Sequence, residues 1–264
     1  VASSPTPTAL VRTPSPRLVE AELTHLARAP IDLELARAQH AGYVALLSRL
    51  GLELAWLPPL PQHPDGVFVE DTVIVVDDTA VLTRPGAVSR RDEVASVGEA
   101  LLARGCQLHR IVEPGTMDGG DVLQVDGTLY VGRTARTDGA AIEQLRALVG
   151  PLGRHVIAVP VTGVLHLKTA ATALPDGTIV AVPGRVPADA FGDREVLAAP
   201  EPAGGDLLVV GEVVVVSAAA PRTAELIGRR GFDVEMVEVS ELEKAEAGVT
   251  CMSVLLGTPV PGAS

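Results

Sequence analysis

The sequence predicts an α/β protein in which five similar units close into a ring. Three observations carry this. Val- and Leu-rich β-segments recur every 40 to 50 residues or so, a repeat period rather than a random spacing. Amphipathic helices alternate with them. Polar residues return at the same place in each unit: Glu70, Asp118 and His166 fall 48 residues apart in turn, with Asp206 and Cys251 continuing the series. An ordinary open α/β sheet is the alternative, but a closed ring leaves no unpaired strand edge.

The elements follow in order. Residues 9–13 form an apolar strand. Helices are predicted over 35–50, 90–104 and 138–149, with a shorter one at 223–230 ended by Gly231. Each leads into a strand, at 52–57, 106–112, 154–159 and 232–239. A second set of β-segments covers 67–76, 119–125, 164–174, 204–210 and 249–256; the fourth follows a weaker strand at 195–198. Turns at Asp78, Asp126-Gly127, Asp176-Gly177 and Gly211 lead four of these into further strands at 80–84, 128–132, 178–182 and 212–217. The last unit lacks such a strand, and residues 9–13 can supply it and close the ring. Residues 1–264 are read as one catalytic domain, with 1–8 a flexible Ser/Pro/Thr-rich end rather than a signal peptide.

Composition narrows the function. Hydrophobic residues make up 47% but aromatics only 2%, so the core is built from Val, Leu, Ile and Ala. No apolar run approaches the roughly 20 residues of a membrane helix. Net charge is −12, and no basic cluster exceeds Arg90-Arg91 or Arg229-Arg230, which argues against a nucleic-acid partner. Two cysteines, Cys106 and Cys251, fit free thiols in a cytoplasmic enzyme better than a disulfide. The expected partner is a small molecule, and a homodimer is compatible with all of this.

In a five-fold ring, equivalent positions converge near the axis. Glu70 and Asp71, Asp118 and Asp121, His166 and Lys168, Asp206 and Cys251 would then meet. A thiol there is a candidate nucleophile and a histidine opposite it a candidate acid and base. A buried structural thiol is the other reading, and Cys106 fits it. Carboxylates in an apolar strand need a cationic guest or an internal arginine. Asp118-Gly119-Gly120-Asp121 reads either as a tight acidic turn or as a backbone that approaches a ligand closely. Arg90 and Arg136 begin helices; surface charge is their default, although a forked guanidinium suits a carboxylate. There is no HExxH and no CxxC, so no metal is expected.

These residues also carry a resemblance. Pro64-Asp65-Gly66-Val67-Phe68-Val69-Glu70-Asp71, Leu82-Thr83-Arg84-Pro85-Gly86-Ala87-Val88-Ser89-Arg90-Arg91, Met117-Asp118-Gly119-Gly120-Asp121, Gly132-Arg133-Thr134-Ala135-Arg136-Thr137, Leu165-His166-Leu167-Lys168-Thr169 and Thr250-Cys251-Met252-Ser253 resemble the dimethylarginine dimethylaminohydrolases, in their order and over nearly the whole chain. The resemblance implies a five-bladed pseudo-symmetric α/β propeller of the pentein type. It implies hydrolysis of Nω-methylated arginine to citrulline and an alkylamine, without a cofactor. Cys251 would form a thiouronium intermediate. His166 would protonate the leaving amine and then activate water, and Asp118 would support His166. Asp118 and Asp71 would bind guanidinium nitrogens with Glu70 beside them. Arg90 and Arg136 would hold the α-carboxylate. Asp65 and the Leu23 backbone would hold the α-amino group, with Leu23 on a lid around residues 18–30. Phe68 and Ala245 would line the substrate. Lys168 separates this branch from the arginine deiminases, which resemble it but place an Asp there. Family members often read Ala-Ala-Asn where this chain has Gly204-Gly205-Asp206. That departure keeps a deiminase or a hydrolase of another guanidine open, as the reuse of such rings keeps open a non-catalytic binding module.

Overall fold

The computed structural model describes residues 6–262. Their strands are, in chain order, β1 (Thr8–Val11), β2 (Glu53–Trp56), β3 (Val73–Val76), β4 (Thr79–Leu82), β5 (Gln107–Arg110), β6 (Val122–Val125), β7 (Thr128–Arg133), β8 (His155–Pro160), β9 (Ala171–Ala173), β10 (Ile179–Ala181), β11 (Val196–Ala198), β12 (Leu207–Val210), β13 (Val213–Ser217), β14 (Asp233–Val237) and β15 (Ser253–Leu256). They form five three-stranded sheets, β3-β4-β5, β6-β7-β8, β9-β10-β11, β12-β13-β14 and β15-β1-β2. Within each, the inner strand pairs antiparallel with the middle strand, and the outer strand joins the middle one in parallel. The five sheets are the blades of an α/β propeller.

Sequence chemistry explains the blade. The inner strands are almost wholly apolar and mostly buried, as strands covered on both faces must be. Their hairpins need a left-handed residue, which Asp126 (φ 55°) supplies in one blade and Gly211 (φ 61°) in another. Right-handed crossovers then need a helix. Helices α1 (Leu33–Arg49), α2 (Val94–Leu102) and α3 (Gly139–Val149) provide three of them. Asp32 caps α1 by accepting from the Glu34 and Leu35 N–H groups, and Asp138 caps α3 at Ala141. The single turn α4 (Leu167–Ala170) lies at the ring axis. Helix α5 (Pro221–Arg229) makes the fourth crossover, and α6 (Ser240–Glu243) is a short turn ahead of β15. In the β9 blade residues 182–195 cross over without a helix.

The core consists of apolar clusters wedged between neighbouring elements. One joins Ile74 and Val81 to Val122, Leu129 and the α3 residues Ile142 and Leu145. Burying Leu145 fully contributes roughly 2 kcal/mol relative to leaving it exposed. Among the described residues no helix is long and apolar enough to cross a membrane.

The ring closes as expected. β1 runs antiparallel to β15, from Thr8 opposite Leu256 to Val11 opposite Ser253. Two expectations need correction. Residues 1–5 lie outside the described residues, and Thr8 is not part of a loose end: it is buried in β1. The second β-segments are shorter than their apolar runs suggest. Residues 69–72, 119–121, 167–170 and 202–205 are one-turn helices, and the inner strand begins only after them. His166 is thus the residue before α4, not a strand residue. Segments from all five blades approach the axis there, and the tight turns leave room for their polar side chains.

Candidate active site

The one-turn helices put the polar residues of successive blades in contact. Asp118 precedes the turn Gly119–Asp121, and its carboxylate is fully buried. Its Oδ1 accepts the Gly86 N–H at 2.9 Å, and its Oδ2 lies 3.1 Å from His166 Nε2. On the other side of the ring, His166 Nδ1 stands 3.7 Å from Asp71 Oδ1. Asp71 Oδ1 also accepts the Gly120 N–H at 3.1 Å. Gly120 has to be glycine: a Cβ there would lie 2.6 Å from His166 Nδ1 and 2.7 Å from Asp71 Oδ1. Asp121 secures the neighbours. It accepts from Leu167 N at 2.9 Å, which starts α4, and from the Thr134 and Thr137 hydroxyls at 2.7 and 2.6 Å, which shape the loop carrying Arg136.

This arrangement sets the proton on the ring. Burial disfavours a charged imidazole, but Asp71, the Asp118 hydrogen bond and Asp121 outweigh it and raise the His166 pKa to about 9. His166 is therefore an imidazolium at neutral pH. Asp118 holds Nε2, which leaves Nδ1 as the nitrogen free to serve a reacting group.

Cys251 lies in the turn ahead of β15 and is buried at 5% exposure. Its Sγ accepts the Gly248 N–H at 3.3 Å. Burial, followed by the negative charges of Asp206, Glu70 and Asp71, pushes its thiol well up. A thiolate needs an added positive charge here.

Cys251, His166, Asp71, Asp65, Phe68, Arg90, Arg136 and Ala245 line one cavity, with Glu22, Leu165, Glu246 and Ala247. The cavity measures about 10 Å³, room for about one water molecule. Residues 18–30 close it. Asp65 accepts from the Glu22 N–H, 3.2 Å to each carboxylate oxygen. Ser89 Oγ donates to Glu22 Oε1 at 2.7 Å, and Arg136 Nη2 reaches Thr24 Oγ1 at 3.2 Å. The strongest hold is Glu246, whose carboxylate accepts from the backbone N–H groups of Thr24 (3.0 Å), His25 (2.5 Å) and Leu26. Glu246 adopts the left-handed region (φ 60°), uncommon for a residue with a Cβ. Glu246→Gln removes the charge and one acceptor. We expect faster amide hydrogen exchange at residues 24–26 and a roughly tenfold higher KM; unchanged exchange would mean that Glu246 does not latch the lid.

Three residues sit differently from their expected places. Leu23 does not line the cavity; its neighbour Glu22 does. Glu70 faces away, with Lys168 Nζ at 2.5 Å and Thr250 Oγ1 at 2.9 Å. Glu70 and Lys168 line a different, larger cavity, about 450 Å³, that runs along the inner strands. That second cavity is roomier but has neither Cys251 nor His166 in its wall; both candidate residues line the smaller one. Arg90 is not a helix-surface charge. It is buried, with Nη1 on Asp71 at 2.6 Å, Nε and Nη2 on Glu93 at 3.1 and 2.9 Å, and Nη2 on the Phe68 carbonyl at 2.9 Å. In the closed state it holds Asp71 in place and has one Nη1 proton to spare. Arg136 is less committed, 3.5 Å from Asp118 Oδ2.

Sequence reasoning missed Glu22, Glu246 and Thr250. An acidic residue near a helix end is the only trace that Glu246 leaves in the sequence. Asp71, Asp118 and His166 each bring one ligand-capable atom within 4.8 Å of the others, which a metal ion could use. Gly86, Gly120 and Arg90 already engage the two carboxylates, so protein donors satisfy the trio.

No protein-family model matches the chain. An N(G),N(G)-dimethylarginine dimethylaminohydrolase of Streptomyces coelicolor is 46% identical over 96% of this chain and 98% of its own length. One of Pseudomonas aeruginosa is 35% identical over 92% and 97%. The solved structure of a Pseudomonas aeruginosa enzyme of this name, a Cys-to-Ser mutant complexed with citrulline, superimposes with a TM-score of 0.90 at 33% identity, over 95% of this chain and 99% of that one.

Proposed function

The chain belongs to the dimethylarginine dimethylaminohydrolase family, and from this premise we propose that it hydrolyses Nω-methylated arginine to citrulline and an alkylamine at the Cys251–His166 cavity. One observation carries the assignment of roles: a buried thiol with a raised pKa and a buried imidazolium share one lidded cavity with carboxylates around it.

The chemistry follows from the charges. A guanidinium entering beside Asp71 brings the positive charge that the thiol lacks, and the Cys251 proton leaves to solvent. The thiolate attacks the guanidinium carbon. As the bond to the alkylamine nitrogen breaks, His166 gives its proton to that nitrogen. The substrate carbon is then bonded to Cys251 as a thiouronium. His166, now neutral, takes a proton from water, and the hydroxide attacks the same carbon. The C–S bond breaks as the added hydroxyl gives its proton to solvent and becomes the carbonyl, citrulline leaves and the thiolate is restored. Asp118 holds the imidazole at Nε2 throughout. Arg136, with the remaining Arg90 donor, supports a site for the α-carboxylate; Asp65 and the lid backbone around Leu23 support one for the α-amino group. Phe68 and Ala245 form apolar walls. Fixing both ends of an amino acid positions its guanidinium carbon over the sulfur.

The lid must open before an amino acid of this size enters, because the closed cavity holds about one water. We read the ring as one catalytic unit acting in the cytoplasm on a small molecule, as a monomer or a homodimer. The net charge of −12 supports a cationic substrate over a polyanionic partner.

The test is citrulline formation from asymmetric dimethylarginine and from arginine, measured side by side. Faster turnover of the methylated substrate is expected. Faster release of ammonia from arginine would move the protein to deimination and overturn the substrate assignment.

A further inference from the structure

Among the buried carboxyls that the steps above do not use, one stands against the turn that carries Cys251. Asp206 follows the one-turn helix Pro202–Gly205 and lies outside the wall of the catalytic cavity. Its Oδ1 accepts the Thr250 backbone N–H at 2.9 Å, and its Oδ2 is 3.3 Å from Thr250 Oγ1. Gly248 packs against the same carboxyl: a Cβ there would stand 2.2 Å from Asp206 Cγ. Gly248 in turn donates to Cys251 Sγ. The turn 248–251 that presents the thiol is therefore folded around Asp206.

Thr250 Oγ1 also lies 2.9 Å from Glu70 Oε2. A threonine hydroxyl has one hydrogen, and here two carboxyl oxygens face it. It can donate to one; the other has to bring a proton of its own or set lone pair against lone pair. Glu70 has the Lys168 ammonium on its second oxygen. Asp206 has no cation in contact among the described residues. The titratable groups that face it are Glu70 from residues 69–72, Lys168 from α4 beyond Glu70, Cys251 from its own turn and Tyr43 from α1. A bare carboxylate in that company is costly.

We propose that Asp206 is held as a protonated carboxylic acid that donates to Thr250 Oγ1, which donates to Glu70, and that this proton fixes the Cys251 turn while sparing the forming thiolate a third negative neighbour beside Glu70 and Asp71. Asp206 is a positioning residue, acting through Thr250 and Gly248. Burial, then Glu70, raise its pKa to about 7. As pH rises past that point the proton is lost, and the new charge opposes ionisation of Cys251.

The inference rests on Cys251 being the nucleophile of the proposed reaction, but its test needs no substrate. Wild type and Asp206→Asn, whose amide offers the same donor and acceptor as the protonated acid, are alkylated with iodoacetamide, and the rate at Cys251 is read by peptide mass spectrometry against Cys106. We expect the ratio of variant to wild-type rate to climb with pH, from near one at about pH 6 to about tenfold at about pH 9. A ratio that does not change with pH means a purely structural role and overturns the proposal. A second measurement uses the wild type alone, with isotope-labelled aspartate and infrared detection. A carboxylic C=O band should vanish with a midpoint of about 7, above Asp65 and Asp121 at about 6. If no protonated aspartate C=O band persists at about pH 7, Asp206 carries no proton and the proposal fails, whether or not the variant folds. Loss of methylarginine turnover would overturn the proposed function and leave both of these readings standing.

Discussion

Cys251→Ser lowers turnover of dimethylarginine by about 10⁴-fold or more, with folding and binding retained. The size follows from the nucleophile. The wild-type thiol already resists ionisation, because burial, Glu70 and Asp71 oppose it, joined by Asp206 once that carboxyl loses its proton. A guanidinium can offset that field for a thiol. It cannot do so for a hydroxyl, whose proton is far more tightly held, and His166 enters the reaction already protonated. Packing changes little, since oxygen replaces sulfur in a site whose one polar contact is the Gly248 N–H. Calorimetry should therefore show substrate binding close to wild type while citrulline production is lost. Turnover within tenfold of wild type would remove Cys251 as the nucleophile.

Asp118→Asn is expected to lower kcat by about 10³-fold and to move the alkaline limb of the rate profile to lower pH. An amide has a single oxygen, yet the carboxylate accepts from Gly86 N and also engages His166 Nε2. Either the ring turns or a buried N–H faces another. The sign of the pH effect follows from the role of His166. As acid it must be protonated, so activity falls as pH rises through its pKa, about 9 in the wild type. Removing the Asp118 charge lowers that value toward the ordinary 6.5 or so, while Asp71 and Asp121 keep it from falling all the way. The same shift bears on stability. The contribution of His166 is complete below about pH 6.5 and is lost as pH rises through about 9, so the variant loses it at lower pH. An Asn variant with normal kcat and an unmoved alkaline limb would show that the Asp118–His166 contact is incidental to the reaction.

The ring could be read from the sequence because its signal is periodic. Apolar segments repeat five times, helices alternate with them in four of the units, and the regular return of Glu70, Asp118, His166, Asp206 and Cys251 reflects blades placed round one axis. The turns ahead of the inner strands could not be read. A run such as residues 67–76 is apolar enough to look like one strand, yet it breaks into a one-turn helix at Val69–Thr72 before the inner strand begins. Ion-pair partners were hidden for a similar reason. Nothing local tells Arg90 that Asp71 and Glu93 will enclose it, or Glu70 that it will face Lys168. Glu246 was invisible because its role depends on a left-handed backbone and on lid residues more than 200 positions away.

The pairing of β1 with β15 has a consequence for how the molecule assembles. Val11 and Ser253 are partners although 242 residues separate them. Contacts so distant along the chain form slowly, because the intervening loop must first be organised. Cys251 comes just before β15 and the lid comes just after β1, so both are put in place by this one late step. A polypeptide still emerging from the ribosome has four blades to build before its thiol meets an imidazole. Fraying of the same seam in the finished protein would displace nucleophile and lid together, so the enzyme would lose activity in one local opening rather than by degrees.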